Sequence, residues 1–311
     1  MIKVGILGTG FGETHLKLFS KIEGFEVVSI FGRNQEKLKT IEEKYKVTAT
    51  NDVTEIIENP NIDIIDICLP TELHSKWAIE GLKNGKHIFC ETPVTYNVDE
   101  AVAMQQAVAK YERNVFVNLF IKFSAPHQLA AELIKKSECG KLLGIRTYNK
   151  TSARWGDLSL QKNVATFHNH MMDFAIELAG MPKSVAAPGI DYGEGKSIVT
   201  STFINNGLYA VMESNSAMPE GCSFEIGFEL LCSDGVIRFD AAYGEYTNGE
   251  FSIVKSDKPR EVLQLDEKDD YEEVIKHIRD CLQNGVKGEF LDIEAAIKTV
   301  KLKEMIMHSI C

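Results

Sequence analysis

Over the first 120 residues, short and almost wholly apolar runs alternate with amphipathic stretches. Such runs lack the alternation of a half-exposed sheet, so they predict strands covered on both faces, as in a parallel sheet with crossover helices. The predicted strands are Ile2–Leu7, Glu26–Phe31, Ile62–Leu69, His87–Cys90 and Val115–Phe120. Helices are predicted at about Glu72–Asn84 and, after an N-cap at Asn97, to about Glu112. The pattern is that of a doubly wound α/β domain.

After Phe120 the rhythm changes, and from Ser184 to Leu265 the chain is rich in alternating apolar and polar residues. Helices are predicted at about Ala125–Lys136 and Asn169–Ala179, with a strand near Leu142–Thr151 between them. Five further strands are predicted at Ile198–Ile204, Leu208–Ser216, Phe224–Cys232, Val236–Ala241 and Phe251–Val254. Turn signals such as Asn205-Asn206-Gly207 between these strands predict antiparallel pairing. Two more helices are predicted at about Asp269–Gln283 and Asp292–His308.

This change of pattern predicts two domains, and a chain of 311 residues is long enough for two hydrophobic cores. Residues 1–121 are predicted to form the α/β domain with the doubly wound parallel sheet. Residues 122–311 are predicted to form an α+β domain with a large, mostly antiparallel, open sheet. For the helix at 292–308, packing back on the first domain is an alternative to packing on the second.

Composition and charge narrow the choice of partners. A formal net charge of -11 argues against nucleic acid, because phosphate contacts need clustered Lys and Arg, so we expect a small-molecule partner. No apolar run is long enough for a membrane span, and the amino-terminal stretch lacks the pattern of a signal peptide. The seven cysteines show no metal-type spacing, which favours reduced thiols in the cytoplasm and no metal site.

The clearest local motif is Gly8-Thr9-Gly10-Phe11-Gly12, which follows the first predicted strand and leads into a helix. Gly8 permits a tight turn, Gly10 allows a pyrophosphate to approach the backbone, and the helix N terminus attracts the anion. The alternative is a glycine-rich turn without a ligand. The strand–turn–helix context favours a dinucleotide-binding Rossmann domain. Glu13 holds the usual third glycine position, so the turn is expected to bend differently from the common form.

The end of the second strand bears on the choice of dinucleotide, because an acidic residue there binds the ribose of NAD. Here the segment contains no acid, and Gly32 and Arg33 occupy the strand end. Gly32 leaves room for a 2′-phosphate, and the Arg33 guanidinium suits charge-assisted bonds to it. The interpretation favours NADP over NAD; the alternative is that Arg33 only points into solvent.

Two motif stretches, Leu69–His74 and Gly81–Pro93, resemble those of the Gfo/Idh/MocA oxidoreductases, a family named partly for glucose-fructose oxidoreductase and inositol dehydrogenase. The chain has the family's P-x-x-x-H pattern, followed by G-K-H and a variant of E-K-P. Matching segments run in the same order through nearly the whole chain, including Gly140–Gly144 and Gly227–Phe239. The resemblance implies an NAD(P)-dependent enzyme acting on sugars, polyols or related compounds. It also adds seven residues to the coenzyme site: Leu69, Pro70, Thr71, His74, Glu91, Thr92 and Pro93.

The chain departs from this family at two ionisable positions. The family's E-K-P lysine is Thr92 here, and the aspartate four residues before its motif histidine is Thr166. The chain keeps the family's motif histidine and the aspartate after it, at His170 and Asp173. The resemblance therefore assigns His170 as the proton donor or acceptor, oriented by Asp173. We expect His170 in the first turn of the helix Asn169–Ala179, where the helix dipole favours a neutral imidazole.

Several other polar or aromatic residues are candidates for substrate contact. They are Lys122, Arg154, Trp155, Thr166 and Asn169, with His168 as a further option. Two of them have structural alternatives: Lys122 as a surface lysine, and Trp155 as an apolar lid or an interface residue. For His170, Asp173 and Glu177 the alternative is a solvated or structurally bonded polar stripe on one helix face. His74 is expected to anchor a helix rather than react.

The sequence as a whole predicts an NAD(P)-dependent oxidoreductase that transfers a hydride between nicotinamide and a sugar, polyol or related small carbonyl or hydroxy compound. A rival hypothesis is a dinucleotide-binding regulatory or sensor protein that has lost catalysis, which the neutral Thr92 and Thr166 favour. A homodimer or homotetramer formed through the open sheet face is expected, because a sheet covered by helices on one face often buries the other against a partner.

Overall fold

The computed structural model describes residues 1–152, 156–243, 248–256, 258–265, 268–288 and 290–310. It divides into two compact units. The first contains Met1–Phe120 and Asp269–Val300, and the second contains Ile121–Lys268 and Lys301–Cys311. The domain boundaries expected from the sequence, 1–121 and 122–311, stay a prediction.

The first unit is built on a six-stranded parallel sheet with the strand order β3-β2-β1-β4-β5-β6. Its strands are β1 (Ile2–Leu7), β2 (Phe25–Phe31), β3 (Thr48–Thr50), β4 (Ile64–Ile67), β5 (His87–Cys90) and β6 (Val115–Val117). Its helices are α1 (Gly12–Lys21), α2 (Gln35–Tyr45), α3 (Thr54–Ile57), α4 (His74–Lys83), α5 (Val98–Tyr111) and α8 (Asp270–Asn284). The predicted doubly wound α/β class is confirmed.

Local sequence explains several of these boundaries. The Asn97 side chain accepts a hydrogen bond from the Glu100 backbone N–H, as predicted for the cap of α5. After α4, Gly85 takes the left-handed conformation with φ +78°. Lys86, in the G-K-H motif, is 5% exposed and its ammonium donates to the carbonyls of Asn59 and Ile62. This motif lysine therefore ties the turn before β4 to β5.

The second unit carries an eight-stranded sheet with the order β14-β13-β12-β11-β7-β10-β9-β8. Its strands are β7 (Leu142–Lys150), β8 (Gly189–Gly193), β9 (Lys196–Asn205), β10 (Leu208–Asn215), β11 (Phe224–Cys232), β12 (Gly235–Tyr243), β13 (Asn248–Lys255) and β14 (Glu261–Leu263). All described neighbours pair antiparallel except β7 and β10, which are parallel. The predicted large, mostly antiparallel sheet is confirmed.

Helices α6 (Ala125–Lys135) and α7 (Leu160–Ala179) belong to the second unit, and α9 (Ile293–Ser309) is divided between the two units. Helix α7 packs on β7, β9 and β10, and its apolar side chains join the core of this unit. The predicted start of α7 at Asn169 is wrong by nine residues. Asn163 interrupts the apolar periodicity, yet it is buried in the helix and its amide donates to the Ser197 hydroxyl on β9.

The described helices include none with the length and apolar character needed to cross a bilayer. His168, on α7, lies completely buried between two serine hydroxyls, with its ring nitrogens facing Ser201 on β9 and Ser214 on β10. Burial lowers the pKa of His168 to about 3. His168 therefore belongs to the packed interior of the second unit, and the option that it contacts substrate is wrong.

The buried neutral imidazole of His168 predicts a loss of stability in mild acid. Its folded pKa of about 3 lies below the usual 6.5, so its stabilising contribution is present above pH 6.5 and is lost as the pH falls toward 3. This one group should lower the free energy of unfolding by about 2 kcal/mol between pH 7 and pH 5. Urea denaturation at the two pH values measures the change.

His168→Gln should show a smaller difference between pH 7 and pH 5 than the wild-type chain. His308→Gln, which changes an exposed histidine on α9, is the control and should keep the wild-type difference. An unchanged pH dependence in His168→Gln would contradict this account of the buried ring.

Candidate functional site

The turn between β1 and α1 is pressed against the end of β4. Gly8 has φ +114°, and a Cβ at this position would lie 2.4 Å from the Cys68 backbone oxygen. A Cβ on Gly12 would lie 2.9 Å from Cγ2 of Ile6. Gly12 thus provides the close helix–strand packing that the third glycine of the fingerprint provides elsewhere. Both glycines are required by the packing of the turn itself.

Gly10 is different, because a Cβ there would meet no atom within 4 Å. Phe11 occupies the position before α1, and its side chain makes no capping hydrogen bond. The first N–H groups of a helix have no acceptor within the helix, and with the helix dipole they attract anions. The turn therefore has the open space and the donors that the diphosphate of a dinucleotide needs.

The end of β2 packs on this turn. A Cβ on Gly32 would lie 2.5 Å from Cγ2 of Thr9, so the glycine is needed for packing whether or not a 2′-phosphate binds. Arg33, the next residue, is exposed, and no salt bridge to it is found within the described ranges. Asn34 then caps α2 by accepting from the Lys37 N–H at 2.9 Å. The guanidinium of Arg33 is thus available to an anionic ligand.

His74 joins the segments that follow β4 and β5. Its Nε2 lies 2.7 Å from the Leu69 carbonyl oxygen, and its Nδ1 lies 3.1 Å from the Pro93 carbonyl oxygen. Burial lowers the pKa of His74, which favours a neutral ring. His74 therefore anchors these segments. They include Pro70 and Thr71 on one side and the cis Thr92-Pro93 peptide on the other.

A buried polar group that the sequence analysis missed lies next to these segments. His15, in the first turns of α1, has Nδ1 2.9 Å from Oδ2 of Asp66 and Nε2 3.0 Å from Oε1 of Glu91. The second contact is an ion pair whose N–H direction is poorly aligned for a hydrogen bond. The amide of Asn118 donates to the same Glu91 oxygen. The sequence did indicate that His15 is buried, because this histidine stands on the apolar face of α1 beside Leu16 and Phe19.

His15 and Asp66 also form, with Cys68, a set of donor atoms that all lie within 4.8 Å of one another. The histidine, carboxylate and thiol are ligand types that zinc accepts. However, the separation of Nδ1 from Asp66 Oδ2 is that of a hydrogen bond. Burial, followed by the Asp66 charge, raises the pKa of the Cys68 thiol, which opposes the thiolate that zinc requires. The geometry is that of a hydrogen-bonded cluster.

Tyr271, on α8, is a second residue that the sequence analysis missed. Its ring stacks on Phe120 at 4.7 Å and meets Phe11 of the glycine turn edge-on at 5.6 Å. Burial, followed by the Glu91 charge, raises the pKa of the Tyr271 phenol. No sequence pattern links position 271 to position 11, because the contact joins segments far apart in the chain.

In the second unit, the predicted residues Lys122 and Asp173 form a largely buried ion pair. The Lys122 ammonium lies 3.1 Å from Oδ2 of Asp173 and 3.3 Å from Oε2 of Glu177. Burial alone would lower the pKa of Lys122, but the charges of Asp173 and Glu177 raise it overall. Lys122 is therefore a held cation and not a free surface lysine.

His170 lies on the same helix, three residues before Asp173, and its residue is half-buried. It stands in the middle of α7, so the expected help from a helix dipole is wrong, because that effect is confined to the first turn. Its neighbour His127 is partly buried and contacts the rings of Phe174 and Phe228 edge-on. Burial, followed by the charge of His170, lowers the pKa of His127 to about 3.

The remaining substrate candidates have different placements. Thr166 is exposed, and its hydroxyl donates to the Lys162 carbonyl of its own helix at 2.6 Å. Asn169 is 5% exposed, and its side-chain Nδ2 has no hydrogen-bond partner in the part of the chain that the structure describes. Arg154 and Trp155 lie outside the described residues. Lys122 and Asp173 are thus paired in the second unit. His170 lies on the same helix as Asp173, and Thr166 bonds within that helix.

Comparison with known proteins gives the family that the motifs predicted. Residues 2–119 match the model of the Gfo/Idh/MocA family, described as an oxidoreductase family with an NAD-binding Rossmann fold. The uncharacterized oxidoreductase YrbE of Bacillus subtilis is 24% identical over 302 residues, covering 90% of this chain and 86% of that protein. The myo-inositol 2-dehydrogenase of Thermotoga maritima is 28% identical over 142 residues, covering 45% of this chain and 42% of that protein. The match bears out the suspected family for residues 2–119.

Solved structures share the fold over nearly the whole chain. A candidate NADPH-dependent oxidoreductase of Desulfitobacterium hafniense has a TM-score of 0.88 at 15% identity, covering 99% of this chain and 95% of that one. An Agrobacterium radiobacter oxidoreductase, in complex with NAD+, L-tartaric acid and magnesium, has a TM-score of 0.86 at 14% identity. The match covers 99% of this chain and 96% of that one. At these identities the likeness shows the fold alone.

The glycine turn predicts opposite outcomes for two alanine substitutions. Gly8→Ala should lower the free energy of unfolding by several kcal/mol, because its Cβ would collide with the Cys68 carbonyl at a positive φ. Gly10→Ala should change it by less than about 1 kcal/mol, because its Cβ enters open space. Denaturant unfolding of both variants measures the difference; equal destabilisation would contradict this account of the turn.

Proposed function

We propose that this chain, whose residues 2–119 belong to the Gfo/Idh/MocA oxidoreductase family, is an NAD(P)-dependent dehydrogenase or reductase. It transfers a hydride between the nicotinamide and a sugar, a polyol or a related small carbonyl or hydroxy compound. The proposal assigns coenzyme binding to the first unit and proton transfer to the second.

The observation that carries the proposal is the glycine turn before α1. Gly10 opens onto free space beside an uncapped helix N terminus, which is the arrangement that receives a diphosphate. A bound nicotinamide dinucleotide supplies the hydride acceptor or donor. The residues Gly8, Thr9, Gly10, Phe11 and Gly12 hold its diphosphate, and the Leu69–His74 and Glu91–Pro93 segments complete its site.

Among the histidines of the second unit's helices α6 and α7, His170 is the one suited to move a proton. His168 is buried and His127 is partly buried, and both have pKa values of about 3, so neither takes up a proton near neutral pH. His170 is half-buried and lies on α7, three residues before Asp173, the partner of Lys122. In the oxidative direction its imidazole accepts the substrate hydroxyl proton, and in the reductive direction it returns that proton.

Lys122 supplies a positive charge in a chain that has Thr92 where the family has a lysine. Asp173 and Glu177 hold its ammonium in place and keep it protonated. A fixed cation stabilises the negative charge that develops on the substrate oxygen during hydride transfer. The buried amide nitrogen of Asn169, which has no hydrogen-bond partner among the described residues, offers a donor to a substrate hydroxyl. These groups favour catalysis over a purely regulatory role.

The name of one relative, myo-inositol 2-dehydrogenase, supports a polyol or sugar as the substrate class. We place the enzyme in the cytoplasm on the basis of its cysteines, since the six described ones are all free thiols. We further propose a homodimer or homotetramer that forms through the open face of the eight-stranded sheet. Exposed Tyr209 and Leu231 on that sheet are consistent with such an interface.

The exposed guanidinium of Arg33 supports NADP as the preferred coenzyme. Wild-type protein should bind NADPH more tightly than NADH. Arg33→Gln should weaken NADPH binding about tenfold, because it removes one charge-assisted contact, and should leave NADH binding nearly unchanged. Fluorescence titration with each reduced coenzyme measures both affinities. Equal or tighter binding of NADH by the wild-type protein would reject the preference.

Replacing the imidazole of His170 tests the catalytic assignment. His170→Ala should lower kcat by two or more orders of magnitude while leaving NADPH affinity nearly intact, because the proton acceptor is lost and the coenzyme site is not touched. NAD(P)H absorbance, followed against a panel of polyols, sugars and keto compounds, gives the turnover. His308→Gln serves as the control. Wild-type turnover in His170→Ala would remove His170 from the mechanism.

A further inference from the structure

We propose that His15 is a positioning residue for the coenzyme: as an imidazolium it bridges Asp66 and Glu91, and the resulting conformation of the Glu91–Pro93 segment determines how tightly the coenzyme binds. This inference rests on the proposed function. His15 is not a motif residue in the sequence analysis, and the proposed hydride and proton transfers do not use it.

The geometry requires a doubly protonated ring. Each ring nitrogen of His15 lies close to a carboxylate oxygen, 2.9 Å from Asp66 and 3.0 Å from Glu91. An ionised carboxylate only accepts hydrogen bonds, and a neutral imidazole carries a single N–H. A neutral ring would therefore leave one nitrogen lone pair facing a carboxylate oxygen inside the protein. The imidazolium donates to Asp66 through Nδ1 and holds its positive charge beside Glu91 as an ion pair.

The electrostatics of the cluster agree with this geometry. Burial alone would lower the pKa of His15, but the Asp66 charge and the Cys68 contact raise it well above 6.5. Burial alone would raise the pKa of Glu91, but the close contact with His15 and the charge of that ring lower it overall. Each partner thus stabilises the ionised form of the other.

The Glu91 carboxylate connects His15 to the coenzyme segment. One of its oxygens faces His15 and accepts from the Asn118 amide, while the other accepts from the Thr92 backbone N–H at 3.1 Å. The Thr92 backbone is therefore held in place by a carboxylate whose orientation depends on His15. On its other side, His15 stands in α1 directly after the glycine turn. One side chain joins the two segments that the proposed function assigns to the coenzyme.

Loss of the proton would leave two carboxylates buried without their cation. Breaking a buried ion pair on one side is strongly unfavourable, so the carboxylates would move or take up protons. The Glu91–Pro93 segment would then lose the contact that fixes it. Coenzyme affinity should consequently fall as the pH rises through the folded pKa of His15, and it should be highest below that value.

The other groups around His15 do not produce the same transition. Facing the ring are Asp66 and Cys68 from β4 and the residue after it, Glu91 after β5, Tyr271 from α8, and the uncharged rings of Phe11 and Phe89. Burial raises the pKa of both Cys68 and Tyr271, so the thiol and the phenol each lose a proton at a more alkaline pH than they ordinarily would.

The experiment measures NADPH affinity by fluorescence titration from pH 6 to pH 10 for the wild-type chain, His15→Gln and His277→Gln. His277→Gln is the matched control, since His277 is a half-buried histidine on α8 of the same unit. The wild-type and His277→Gln chains should lose at least tenfold in affinity through one alkaline transition. His15→Gln should bind at least tenfold more weakly at pH 7 and should lack that transition.

Nuclear magnetic resonance of the wild-type chain with 15N-labelled histidine provides a readout that does not require a folded variant. It should show both His15 nitrogens protonated at pH 7, and the pH of their deprotonation should match the loss of affinity. Wild-type affinity and an unchanged transition in His15→Gln, or a neutral His15 at pH 7, would overturn the inference. Absence of NADPH binding by the wild-type chain at every pH would instead overturn the proposed function.

Discussion

One steric constraint shapes the proposed coenzyme site: the contact between the glycine turn and the carboxyl end of β4. Gly8 lies so close to the Cys68 carbonyl that no side chain fits, and this contact fixes where α1 begins. Gly12 packs the start of the helix onto Ile6, and Gly32 lets the end of β2 reach Thr9. Gly10 alone among these four glycines faces open space. Three glycines shape the turn, and the fourth leaves it accessible to a ligand.

Around this turn, the first unit uses its histidines to tie strand ends together. His74 joins the carbonyls of Leu69 and Pro93, and His15 joins the carboxylates of Asp66 and Glu91. Burial lowers the pKa of His74, whereas for His15 the Asp66 charge and the Cys68 contact together outweigh burial and raise the pKa. Both pin the segments after β4 and β5, which carry the family's motifs.

Much of the fold could be predicted from the sequence because long apolar runs and turn residues report local structure directly. The bounds of β1, β5 and β11 agree with the prediction. The short strands β3, β8 and β14 were not predicted, since Thr48–Thr50 and Glu261–Leu263 contain too few apolar residues to show a period. The start of α7 was also missed, because its inner face carries Asn163, and only a partner on β9 makes that polar residue compatible with the core.

Site residues were harder to predict where they depend on contacts between distant segments. The pairing of Lys122 with Asp173 and the bridge made by His15 leave no local pattern in the sequence.

The most direct test of the central claim is a crystal structure grown with NADPH. The account predicts diphosphate oxygens within hydrogen-bond distance of the first backbone N–H groups of α1, next to Gly10. A coenzyme bound elsewhere, with the glycine turn in contact only with solvent, would contradict it.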